Sequence, residues 1–135
     1  MKKQIVIELI DELIDKYQRA LDGDRDTISR MGMADHCPFC LHFGEYDDDE
    51  VRCPKCVNRL SRNKVVRGCL NAGAVTFYSG DGPLNEQQKQ DATLRMEILE
   101  EWRNRLDIVW VNDLAVNDII QIHTNAYNYV IKGGL

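Results

Sequence analysis

The chain opens on a periodic run. From residue 4 to residue 21, apolar side chains recur at Ile5, Leu9, Leu13, Tyr17 and Leu21, with Val6, Ile10 and Ile14 beside them. That i, i+4 recurrence makes one wide stripe on a long helix, with Glu8, Asp11, Glu12, Asp15 and Lys16 outside it. The polar run DGDRD at 22–26 ends the helix, and a shorter one is expected from Thr27 to Met33. The second half reads as helical too. SGDGPLNEQQ at 79–88 is a turn followed by a start signal, with Asn85 as the cap and Gln88 reaching back from three positions on. The helix then continues through Leu94, Ile98, Leu99, Trp102 and Leu106. IVWV at 108–111 fits a short strand or a buried connection, and periodicity does not separate the two. Asn112 or Asp113 is expected to cap a last helix. That helix carries Val116, Ile119, Ile120, His123, Tyr127 and Val130 on one face and ends at Gly133-Gly134. AVTFYS at 74–79 is the best isolated strand candidate.

Length and composition narrow the class. The 135 residues fit one compact domain, and 44% apolar with 29% charged residues is ordinary globular composition. MKKQIVIELIDELIDK begins like a secretion signal, but Glu8 and Asp11 interrupt the apolar run and no small-residue cleavage site follows. It reads as mature structure. No apolar run approaches a membrane span. The expectation is a cytoplasmic protein without a membrane role. In that reducing setting, paired cysteines serve metal or redox chemistry more often than structural disulfides.

Chemistry is concentrated in HCPFCLHFGEYDDDEVRCPKCVNR, residues 36–59. Cys37, Cys40, Cys53 and Cys56 give the spacing C-x2-C-x12-C-x2-C. A two-residue gap turns two thiolates toward a common point, and two such pairs supply the four soft ligands of tetrahedral zinc, with Zn–S near ~2.3 Å. The residues between them suit a hairpin, LHFGEY out and EVR back, with DDD at the tip. Pro54 after Cys53 suits the first position of a helix that continues through VNRLSRN. Four thiolates leave no open position, so one structural zinc is expected, stapling a segment too small and polar to hold its own core.

Knuckle, hairpin and ligands from a first helical turn resemble the treble-clef and zinc-ribbon modules over about residues 36–68. Those modules usually place Gly after the second cysteine of a knuckle, whereas Leu41 and Val57 stand here. CPFC also matches a glutaredoxin-type redox motif, in which a thiolate at a helix start attacks disulfides. That fold needs a buried strand before the motif, and GMADH precedes it. The other prolines, Pro54 and Pro83, are also in the wrong context for its cis-proline.

The remaining candidates are weighed against ordinary roles. Cys69 in RGCLNAG has no local base or orienting group and reads as a small buried hydrophobe. His36 and His42 flank the first pair but are superseded by four cysteines. His123 reads as a hydrogen-bonded core histidine. EYDDDE lacks the ligand spacing of a calcium loop and reads as a solvated tip. Net charge is −5, against a protein coating nucleic acid over its whole surface. One segment differs: residues 57–72 hold Arg59, Arg62, Lys64 and Arg67 and no acid. These cations either meet phosphates or pair with the acidic helices of the same molecule.

The expected fold is mainly α, a single domain with an N-terminal helical segment at 1–33, a zinc module at 34–72 and a C-terminal helical segment at 73–135. Helices flank a small zinc-stapled, treble-clef-like hairpin and helix. The expected function is non-enzymatic, a small regulator or inhibitor binding another protein, the class that includes virus-encoded inhibitors of host machinery. A homodimer through the N-terminal helix is a further expectation. Nucleic-acid binding through residues 58–67 is the second reading. A metal-dependent nuclease on a treble-clef-like scaffold is the third, against which the helix after the second pair offers Asn58 and Asn63 but no histidine.

Overall fold

The computed structural model of the chain describes residues 1–30, 37–43 and 83–133. Among these the architecture is mainly α: α1 (Lys3–Leu21), α2 (Arg25–Arg30), α3 (Pro38–Phe43), α4 (Glu86–Asp107) and α5 (Val116–Ile131). There is no strand among the described residues, only an isolated antiparallel bridge between Lys2 and Asp113. The hairpin tip, the AVTFYS segment and the helix after Cys53 lie outside them.

Helix ends follow local sequence where the signal is local. Gly23 takes a φ of 92°, which an L side chain adopts only with strain. Gly23 N donates to Ala20 O at 3.1 Å and Asp24 N to Arg19 O at 3.0 Å, the two bonds of a Schellman stop. Asp24 then opens α2, its carboxylate accepting from Asp26 N at 3.2 Å and from the Thr27 hydroxyl at 2.9 Å. That start is two residues earlier than expected. At α4 the expected capping box is present, with Gln88 N donating to Asn85 Oδ1 and Asn85 N donating to Gln88 Oε1, both at 2.8 Å. Gly133, at a φ of 70°, ends α5.

Four sequence expectations are corrected in whole or in part. On α1 the expected stripe is largely buried, at Val6, Ile7, Ile10, Leu13, Tyr17 and Ala20 with Leu9, Ile14 and Leu21 packed beside them, but Ile5 stands outside it, 37% exposed. A strict i+4 row drifts round a helix of about 3.6 residues per turn, while alternating steps of four and three stay on one face. At α3, Leu41–Phe43 complete a helix where the outgoing hairpin strand was expected. At α5 the cap is Ala115, without a side-chain bond, and neither Asn112 nor Asp113. Both are engaged by α1. The carbonyl of Asn112 accepts from Lys3 N at 2.7 Å and its Oδ1 from Gln4 N at 3.1 Å, satisfying N–H groups at the start of a helix whose own cap residue, Lys2, supplies no side-chain bond. Asp113 pairs with the α-amino group of Met1 at 3.0 Å and with Lys2 at 3.6 Å. The hydrogen bond from that amino group, and then the charge of Lys2, hold the Asp113 carboxyl below its ordinary pKa. Lys3 Nζ donates to the carbonyls of Asp107 and Val109 at the end of α4. IVWV is neither strand nor buried connection: Ile108 is 82% and Trp110 92% exposed.

α4 is the central helix, packed by α1 and by α5, with α2 and α3 against α1. A seam of Gln88, Ala92, Arg95, Leu99, Trp102 and Leu106 runs along it by alternating fours and threes, with Ile98 buried beside it. A guanidinium in that seam needs compensation. Arg95 Nε reaches Asp91 Oδ2 at 2.8 Å, and the guanidinium also donates to the Tyr17 hydroxyl on α1. Burial works against its charge, but Tyr17 and Asp91 outweigh it and raise its pKa. Nearer the surface, Arg103 Nε meets Asp11 of α1 at 2.8 Å.

Leu13→Ala should cost about 2–5 kcal/mol, because Leu13 is fully buried between α1 and α4. Denaturant unfolding checks this, and a change under about 0.5 kcal/mol, typical of surface sites, contradicts the packing. Asp91→Ala should cost about 3 kcal/mol by leaving the buried Arg95 without its carboxylate, the low end for such pairs because Asp91 keeps some solvent contact. Adding Arg95→Met should recover most of that loss, and a double variant less stable than Asp91→Ala would refute the account.

Candidate metal centre

The first Cys-Pro-x-Cys unit lies among the described residues. Pro38 opens α3, where its fixed φ and missing N–H are suited to a first helical position. The carbonyl of Cys37 accepts from Leu41 N at 3.0 Å, closing the first turn, and Cys40 is the third residue of α3. The sequence predicts this helix-start arrangement for the second pair, after Pro54, and the structure has it at the first. At such a position a sulfur faces the positive end of the aligned peptide dipoles, which suits a thiolate ligand.

α3 is seated on the helical body by its apolar side. Cys37 and Phe39 are fully buried. The Phe39 ring stacks on Trp102 of α4 with centroids 5.7 Å apart and planes 17° from parallel. His123 of α5 lies against the same indole at 4.1 Å, tilted by 39°. Aromatic pairs of this kind add about 0.5–1.5 kcal/mol beyond the area they bury. Trp102 Nε1 has no hydrogen-bond acceptor among the described residues, so the stack rests on packing. His123 is thus buried, in keeping with its place on the apolar face of α5. His42, in the last turn of α3, is exposed. Sequence reading placed Trp102 on the helix stripe but missed its pairing with Phe39. The available signal was the aromatic inside CPFC, which a helical first turn places among the residues facing the core.

Cys53, Cys56, Arg59, Arg62, Lys64, Arg67, Cys69 and His36 lie outside the described residues. Among those described, no three His, Cys, Asp or Glu side chains gather as a metal site. The buried, helix-opening Cys37 fits a structural ligand set. Zinc bound there would hold the sulfurs in a tetrahedron and contribute its binding energy to folding. Elsewhere, a shallow hollow of about 320 Å³ along α4 is lined by Glu86, Lys89, Gln90, Thr93, Leu94 and Glu97 and is open to solvent. No helix among the described residues is long and apolar enough to cross a membrane. No family model, curated protein or solved structure matches the chain.

Phe39→Ala should cost about 3–5 kcal/mol, as for other fully buried aromatic truncations. In a Trp110→Phe background, which removes the exposed indole, the Trp102 emission should shift to longer wavelength. Unchanged emission together with unchanged stability would show that α3 is not seated on α4.

Proposed function

We propose that this is a non-enzymatic, zinc-stabilised interaction protein, a small cytoplasmic regulator or inhibitor that acts by binding another protein. One zinc is held by Cys37, Cys40, Cys53 and Cys56. The observation that carries this reading is the seating of the first cysteine pair. A Cys-Pro-x-Cys unit whose leading cysteine is fully buried beside an aromatic stack is tied to the fold, as a structural ligand must be. Closed four-thiolate coordination gives zinc a stabilising role and leaves the protein surface as the working part. Residues 58–67 support a second reading, phosphate contact with nucleic acid, because Arg59, Arg62, Lys64 and Arg67 follow the second pair without an intervening acid.

Protein purified without added metal should contain one zinc per chain by elemental analysis. Iron in its place, or a disulfide between Cys37 and Cys40, would overturn the assignment. Cys53→Ser should lose the metal and the local fold, since site assembly and local folding share a free energy of order ~10 kcal/mol. α1, α4 and α5 should keep their helical signal, because the described residues of these helices pack on apolar side chains that need no metal. Full stability of Cys53→Ser without metal refutes a structural zinc. Charge reversal at Arg59 and Arg62 should leave zinc content unchanged. If it also abolishes a salt-sensitive affinity for DNA or RNA, the second reading holds. Absence of nucleic-acid binding at low salt removes that reading and leaves a protein partner, to be identified by affinity purification and mass spectrometry.

A further inference from the structure

α5 carries more apolar surface than α4 covers. Ile119, His123 and Ala126 are buried, with Ile122 and Val130 packed beside them. With about 3.6 residues per turn, a second row of Val116, Ile120, Thr124, Tyr127 and Ile131 runs along the adjoining arc. The sequence assigns Val116 and Ile120 to the core face, yet they are 46% and 36% exposed, and Ile131 is 39% exposed. Tyr127 is half-buried, and desolvation raises the pKa of its hydroxyl. The outer rim of the row is made of amides, Asn117, Gln121, Asn125 and Asn128, and Gln121 Nε2 donates to Asn125 Oδ1 at 2.9 Å. Asp118 is the single charged residue in the helix.

We propose that this row is a homodimer interface, α5 packing antiparallel on α5 of a second copy about a two-fold axis beside Thr124. The spacing of the row is palindromic: four residues from Val116 to Ile120, seven to Tyr127 and four to Ile131. A reversed copy therefore sets Val116 against Ile131 and Ile120 against Tyr127 in one register. Thr124 is small, and its hydroxyl already donates to the Ile120 carbonyl at 3.0 Å, so it brings no orphan donor to the axis. Amide groups both donate and accept, so the rim complements a copy of itself, as a two-fold interface requires.

Charge points the same way. The chain carries −5, and the outer faces of α1 and α4 present Glu8, Glu12, Glu97 and Glu100 to solvent, beside the Arg19–Asp15 pair. Pairing two copies through those faces sets like charges together. Pairing through α5 leaves the two Asp118 carboxylates about 16 Å apart along the axis, beyond a screening length of about 8 Å. The seam of α1, the other candidate for self-association, is occupied by α4.

Sedimentation equilibrium of the full, metal-loaded chain tests this. The wild type should show a monomer–dimer equilibrium, and Ile120→Glu should be monomeric with unchanged helical circular dichroism. Val116→Glu and Ile131→Lys should each weaken the dimer by roughly tenfold or more. The double variant should restore it, because the new charges meet only between copies: within one helix they stand about 22 Å apart. A monomeric wild type overturns the proposal and leaves the face to a different protein. A dimer that survives Ile120→Glu places the contact elsewhere. Failure of the double variant to recover, with both single variants weakened, overturns the antiparallel register.

Discussion

The indole of Trp102 is fully buried and touches aromatic rings from two other helices, Phe39 of α3 and His123 of α5. α4 packs against both α1 and α5, and through Trp102 it also meets Phe39 of the cysteine-bearing α3, which itself lies against α1. A large flat ring near the C-terminal end of α4 gives both newcomers a surface to pack on. The position of the first cysteine pair relative to the helical core therefore depends on a contact made one residue before Cys40.

A second constraint is the connection between α4 and α5. It holds Ile108 and Trp110 out in solvent, which costs apolar burial, yet its backbone and Asn112 side chain close off the start of α1 while Lys3 closes the end of α4. The start of α1 and the end of α4 are thereby tied at one place. Arg95 is a third compromise, a charge kept inside the α1–α4 seam by Asp91 and Tyr17. Such a group contributes little net stability compared with an apolar residue but penalises any other pairing of the two helices, since slippage strands the charge.

These features bear on function through division of labour. Among the described residues, the helical body holds together on the apolar seams of α1, α4 and α5. The row on α5 is neutral, with Asp118 the single charged residue of that helix, whereas the sequence of residues 58–67 is cationic.

What the sequence determined by itself is what neighbouring residues decide. Asn85 with Gln88 makes its capping box from atoms three positions apart, and Gly23 stops α1 because only glycine takes that φ cheaply. The four-cysteine spacing is local as well, and the metal expected there rests on that spacing. Tertiary structure decided the rest, because the competing partners are distant along the chain. Asn112 had the right side chain to cap α5, but the unsatisfied N–H groups of α1, more than a hundred residues earlier, took it. The stripe on α1 turned toward Val6 and Ile10 because α4 contacts a seam of alternating fours and threes. Val116 and Ile120 matched the core pattern of α5, yet α4 has only one face to offer there, and that face went to Ile119, His123 and Ala126.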